Sequence, residues 1–228
     1  KPLIIFGNAE IASLAKFYFT NDSEYEVVAF TVDDEFQKED TFEGLPLIPY
    51  SKILEIYPPH QNSMHVALSY VKLNQLREQK YFQAKNSGYD LATYVSSKSS
   101  TWPDLTTGDN CFILEDQTIQ PNVKIGNNVM LWSGNHIGHG TSIGDHTYFA
   151  SQVVISGNCV IGRRCFFGVN ATSKDFTNIG DDVFVAMDAS VTQDLPDKSV
   201  VLGAKSTVFD SDNATGSKIR NSYFKIDN

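Results

Sequence analysis

A period of six constrains this chain more than any other feature. From Ile113 an aliphatic or aromatic residue recurs at every sixth position: Ile113, Ile119, Ile125, Leu131, Ile137, Ile143, Phe149, Ile155, Ile161 and Phe167, then, after Ser173, Ile179, Val185 and Val191. The residue after each of these anchors is often Gly or Ala, as at Gly126, Gly138, Gly144, Gly162 and Gly168. The residue four places after is often small or β-branched, as at Val123, Val129, Thr141, Thr147, Val153, Cys159, Cys165 and Ala171. Neither a helix nor an ordinary strand generates this spacing. Six-residue repeats mark a parallel β-helix, in which each hexapeptide supplies one short strand and one corner. Three hexapeptides close a triangular, left-handed coil, so residues 18 apart stack. The stacking predicts an all-isoleucine ladder of Ile125, Ile143, Ile161 and Ile179. A second ladder runs through Ile113, Leu131, Phe149, Phe167 and Val185, and a third through Ile119, Ile137, Ile155, Ser173 and Val191.

Residues 1–95 follow other periods and predict a small parallel sheet with helices packed on it, a Rossmann-like βαβ domain. Leu3–Phe6, Val27–Phe30, Leu45–Ile48 and His65–Leu68 read as short buried strands. Helical spacing places a helix through Ile11, Leu14, Ala15 and Tyr18, and another through Leu73, Leu76, Tyr81 and Ala84, with Gly88 at its C-terminal turn. A helix between them is expected to start with Ser51 as N-cap and to stop at Pro58-Pro59. Residues 96–205 form the β-helix domain, and 206–228, polar and out of period, a cap or tail.

A net charge of −9 argues against nucleic acid, which needs clustered cations. No apolar run approaches a membrane span and no signal peptide is visible, so a cytoplasmic protein with no membrane partner is expected. Three cysteines without a Cys-x-x-Cys pattern suit a reducing compartment. Cys159 and Cys165 fall on inward slots, as core residues.

Three of the five histidines lie in Asn135-His136-Ile137-Gly138-His139-Gly140-Thr141-Ser142-Ile143-Gly144-Asp145-His146. The register puts His139 two places after an anchor, on an outward corner, in a column with Pro121, Gly157, Asp175 and Gln193. A neutral imidazole there can take a proton from an attacking amine or hydroxyl. Asn135, His136, Asp145 and His146 are auxiliary candidates near the acceptor. The spacing of the histidines does not fit a three-histidine zinc site, so no metal is expected.

In the first domain Phe6-Gly7-Asn8-Ala9 occupies the strand–turn–helix position that receives phosphate at a helix N-terminus. Gly7, Asn8 and Ala9 are therefore candidates for a nucleotide diphosphate. Asp33 and Asp34 end the second strand, where a carboxylate can accept hydrogen bonds from ribose or base, and Ser69 ends a later strand on the same side.

A short nucleotide-type βαβ domain followed by hexapeptide repeats with a corner histidine resembles the sialic-acid O-acetyltransferase-like sugar acyltransferases, which include bacillosamine-pathway and perosamine N-acetyltransferases. The resemblance runs from Ile4-Ile5-Phe6-Gly7 to Gly203-Ala204-Lys205. It implies a homotrimer whose small domain holds a nucleotide-linked sugar, with acetyl-coenzyme A lying between neighbouring β-helices. It implies His139 as general base, with Gly157, Val169 and Met187 as coenzyme contacts. The implied activity is N-acetylation of an amino sugar for surface polysaccharide, by direct transfer; O-acetylation is the close alternative. A non-catalytic trimeric scaffold and a zinc hydratase are more remote. Relatives often carry a carboxylate directly after the histidine, where this chain has Gly140; Asp145 sits at another corner and would reach the site only from a neighbouring subunit.

Overall fold

The computed structural model describes residues 1–210 and 213–224. Its first domain holds a six-stranded sheet of β1 (Pro2–Phe6), β2 (Glu26–Val32), β3 (Thr41–Phe42), β4 (Leu45–Pro49), β5 (Ser63–Val66) and β6 (Asp90–Leu91), in the order β3-β4-β2-β1-β5-β6. All neighbours are parallel except the edge pair β3 and β4. Three helices connect the strands: α1 (Glu10–Asn21), α2 (Tyr50–Ile56) and α3 (Gln75–Asn86). Strand order reverses at β1, which lies between β2 and β5. Such a reversal opens a crevice beyond the carboxyl ends of the strands.

Two helix ends illustrate local control. α3 finishes with Gly88 in the left-handed region, where Gly88 donates to the Lys85 carbonyl and Tyr89 to that of Ala84. This pairing satisfies carbonyls that the helix leaves open. At α2 the expectation of a Ser51 N-cap is not met. The helix begins a residue earlier, at Tyr50, after Pro49. The Ser51 N–H instead donates to Oδ1 of Asp34 at 3.1 Å, so a carboxylate distant in sequence caps the helix.

The six-residue period folds as predicted. Three parallel sheets form the walls of a triangular prism. Ile125, Ile143, Ile161 and Ile179 pair in register along one wall; the ladders through Leu131 and Phe149 and through Ile137 and Ile155 occupy the other two. The anchors and the small residues between them make one continuous buried core. Strand Tyr94–Val95 already pairs with Phe112–Ile113, so the first coil begins at the domain junction, and Val200–Val201 closes the last. Every corner from residue 110 to residue 188 turns on a left-handed residue three places after an anchor, a position held by Asn, Asp or Gly in most coils. Beyond the prism, chain 204–210 is exposed and is followed by α4 (Ala214–Phe224). Residues 211–212 and 225–228 of the expected cap or tail lie outside the described residues. No helix among the described residues is long and apolar enough to cross a membrane.

A polar column joins the domains. Asn110, Asn128, His146 and Arg164 are spaced by 18 along one corner and face β5 and α3. Asn110 exchanges two hydrogen bonds with the backbone of Val66 (2.7 and 3.2 Å) and donates to Asn128. Arg77 of α3, 2% exposed, donates to the carbonyls of Asn128 and His146 and to the side chain of Asn74. Arg164 bridges Glu78 of α3 and Asp182 of the next coil. Helix α3 thus buries Arg77 on the face expected to be apolar, because its partner there is a corner of backbone carbonyls, and buries Lys80 beside it against Asp33 and the Phe6 ring.

Candidate active site

Two regions carry chemistry, and they lie on different parts of the chain. The first is the crevice of the small domain. Gly7 (φ +137°) ends β1 so close to β5 that a Cβ would stand 2.8 Å from the Ala67 carbonyl oxygen. The turn then delivers the chain into α1, with Ala9 at the N-cap position. A cavity of about 430 Å³ opens there, lined by Gly7, Asn8, Asp33, Phe36, Leu68 and Lys80 among others. It is apolar at its walls and polar at its rim.

Lys80 is the polar residue that sequence reading missed. Its ammonium lies 2.5 Å from Oδ1 of Asp33, 2.9 Å from Gln83 and over the Phe6 ring. Helical spacing assigned α3 an apolar stripe, which left no reason to expect a cation at this point. Of the candidates on the crevice side, Gly7, Asn8 and Asp33 line the cavity. Asp34 does not; it caps α2 and lines an adjoining polar hollow with Tyr50 and Ser51, which shares Asp33 and Lys80 with the cavity. Its carboxyl is held below the usual range by the hydrogen bonds from Ser51. Ser69 is half-buried past the end of β5, outside the lining of the cavity.

The second region is the outer edge of the prism. His139 is exposed at its corner, as the register predicts. Its ring lies against the coil above: a Cβ on Gly157 would meet ring atom Cε1 at 2.7 Å, so a larger residue there would push the imidazole out of this position. Nδ1 is 3.0 Å from Oε1 of Gln120, and the same oxygen accepts the His139 backbone N–H at 2.8 Å. Nε2 faces outward, with Asn158 Nδ2 at 3.5 Å, the outer limit of a hydrogen bond.

The neighbouring candidates have other duties. Asn135 is buried (1% exposed), accepts the Val153 N–H at 2.7 Å and donates to the Trp132 carbonyl, so it builds a corner and cannot reach an acceptor. His146 is buried in the domain interface and is corrected from auxiliary to structural: Nδ1 meets Asn128 at 2.9 Å, Nε2 faces Glu78 at 3.5 Å, and the ring packs on Tyr81 and Phe82. Burial lowers its pKa to about 4. Asp145 lies at a corner other than that of His139 and accepts the Asn127 N–H at 2.7 Å. His136 stands half-exposed on the wall between Thr118 and Val154, one residue before the Ile137 anchor. The buried thiols of Cys111 and Cys165 are pushed up to about 12 by desolvation, which removes them as nucleophiles. No cluster of metal-ligating side chains occurs among the described residues.

Val169 and Met187 share a different corner, where a groove of about 500 Å³ runs between Tyr70, Tyr148, Phe166 and Phe184. Among the described residues, the backbone N–H groups of Gly157, Val169 and Met187 donate to no acceptor within the chain. His139 follows the wall containing Ile137, whereas Val169 follows the wall containing Phe167. One protomer therefore keeps the histidine and this groove on separate edges.

Residues 122–157 match the family model described as bacterial transferase hexapeptide (six repeats). The whole architecture is similar to PerB from Caulobacter crescentus, solved with CoA and GDP-perosamine (TM-score 0.79, 20% identity, covering 89% of this chain and 98% of that one). It is similar to the acetyltransferase domain of PglB from Neisseria gonorrhoeae, solved with acetyl coenzyme A (TM-score 0.75, 18% identity, covering 89% and 98%). WeeI from Acinetobacter baumannii matches at a TM-score of 0.75 and 20% identity, covering 89% and 97%. Over 89% of its length the chain thus shares the fold of these proteins: a Rossmann-like domain fused to a left-handed β-helix of hexapeptide repeats.

Proposed function

We propose that the protein is an acetyl-coenzyme A-dependent acetyltransferase acting on a nucleotide-linked sugar. The observation that carries this reading is an exposed corner imidazole whose Nδ1 is engaged by Gln120, on a chain that also holds a nucleotide-sized crevice at a strand-order reversal. The fold shared with proteins solved with CoA and GDP-perosamine, or with acetyl coenzyme A, supports it.

The chemistry runs by direct transfer. The crevice holds the nucleotide, with Gly7 and Asn8 toward the diphosphate and Asp33 and Lys80 at its rim. The acceptor nitrogen attacks the thioester carbonyl carbon, and His139 Nε2 removes the proton that nitrogen sheds. The free N–H of Gly157 lies beside the ring and suits the oxyanion. Collapse of the intermediate expels the coenzyme thiolate, which takes up a proton. The N–H groups of Val169 and Met187 suit the amide carbonyls of the pantetheine arm. Because His139 and that groove sit on separate edges, the site needs a second protomer, and a homotrimer supplies it.

An amino group on a deoxy sugar is the proposed acceptor. His139→Ala should lower kcat by about 10²–10⁴-fold and leave acetyl-coenzyme A affinity within a few-fold. Acetyl transfer to amino and hydroxy versions of one nucleotide sugar checks the acceptor. Turnover of the alanine variant at the wild-type rate removes the base assignment, and preference for the hydroxy version makes the protein an O-acetyltransferase.

A further inference from the structure

We infer that Gln120, a residue of the preceding coil, is the positioning residue that fixes the tautomer of His139. The inference rests on the reading of His139 as the base. A histidine acts as a base only through the ring nitrogen that lacks a proton, so the partner of the other nitrogen decides which face works. Gly140 follows the histidine and brings no side chain, and the one hydrogen bond of normal length to the ring comes from Gln120.

An amide side chain can present either oxygen or nitrogen, so its direction must be argued. Here the backbone decides. The His139 N–H is an obligate donor, and it meets the Gln120 amide at 2.8 Å. The atom it meets must therefore be the carbonyl oxygen. That same oxygen stands 3.0 Å from Nδ1. An oxygen can accept twice but cannot donate, so Nδ1 carries the ring proton and Nε2 keeps its lone pair outward. This is the opposite of the form favoured by a free imidazole side chain, which protonates Nε2.

The geometry also holds the ring in place. Gln120 grips it from the coil below and Gly157 supports it from the coil above. Gly140 (φ +68°) passes so close to Asn158 that a Cβ would stand 2.5 Å from its Oδ1. A larger residue after the histidine would displace Asn158, so orientation by the following side chain is excluded here. The hydrogen-bond partners Gln120 and Asn158, and the Gly157 backbone, carry no charge. In the corner column the next carboxylate is that of Asp175, one coil beyond Gly157.

Nitrogen-15 spectra of the histidine-labelled full chain test this without substrate. The wild-type His139 ring should report a protonated Nδ1. In Gln120→Ala it should move to the Nε2–H form or to a mixture. With acetyl-coenzyme A and a panel of UDP-, GDP- and dTDP-linked amino-deoxyhexoses, Gln120→Ala should lose about tenfold or more in kcat, with the KM for acetyl-coenzyme A within twofold. Gln120→Glu keeps the acceptor and so preserves the corner. Its new carboxylate should stabilise the imidazolium and raise the acid limb of the kcat/KM profile by about one pH unit. A wild-type ring protonated on Nε2, or a Gln120→Glu profile superimposed on the wild type, overturns the inference. If His139→Ala retains full turnover while the tautomer is as described, the base assignment fails and the role of Gln120 in fixing the ring stands.

Discussion

At Lys80 three interactions meet on one side chain: an ion pair with Asp33, a hydrogen bond to Gln83 and the face of Phe6. The side chain is 10% exposed, so its charge is little screened by water. It compensates Asp33 at the mouth of a crevice proposed to receive phosphate. Lys80→Met should leave that carboxylate unopposed and repel the anion. Titration with UDP and GDP by calorimetry should show a loss of at least tenfold in affinity for whichever binds. Lys80→Met with wild-type affinity would place the diphosphate elsewhere. The residue scale is also where the sequence was least legible. His139 could be placed because a corner column follows from the period alone. Gln120 could not: it lies 19 residues earlier and one register position out of that column, so no stacking rule pairs the two. The capping role of Asp34 was hidden for a related reason. Its position after β2 is a ligand position in general, but here α2 begins within reach and uses it as a cap.

Among the elements, the isoleucine ladder and the inter-domain column differ in what they tolerate. The ladder is continuous apolar contact, so Ile161→Ala opens a cavity between Ile143 and Ile179 and should cost about 2–5 kcal/mol, seen as a lower midpoint in urea. The column is a hydrogen-bonded set in which Arg77 serves acceptors on both domains. Arg77→Met leaves those carbonyls buried without donors, at about 3 kcal/mol or more. It should lower the thermal midpoint without splitting the transition, because Asn110, Asp109 and Arg164 still bond the two domains. The prism was legible because close stacking permits one period only. The column was hidden because its residues look like ordinary polar corners until β5 and α3 are laid against them. His146 shows this best: it reads as an auxiliary candidate beside the acceptor until the first domain is seen to bury it.

For the whole molecule, two buried histidines set a pH dependence. His65 and His146 each have a folded pKa lowered to about 4 by desolvation, against an ordinary 6.5. As pH falls below about 6.5 the unfolded chain takes up these protons and the folded chain does not. Stability is therefore lost progressively from about pH 6.5 down to about pH 4, and the slope is positive with rising pH in that window. Denaturation midpoints measured between pH 7 and 4.5 should fall steadily, and His146→Gln should flatten part of the slope. A carboxylate acts lower: Asp22, held at about 2 by hydrogen bonds from Ser97 and Tyr94, stabilises the fold above about pH 4, and that stabilisation is lost as pH falls from there toward about 2.

Because Arg77, Asn110 and Arg164 weld the crevice domain to the prism, the span between the crevice and any given coil is held by buried bonds. Under the proposed function the protein acts as a fixed-length gauge, and the ring carbon acylated follows from how far a sugar extends from its anchor. Lengthening the prism by one whole coil, 18 residues inserted in register below His139, should retain every ladder yet carry the imidazole beyond the reach of the same sugar.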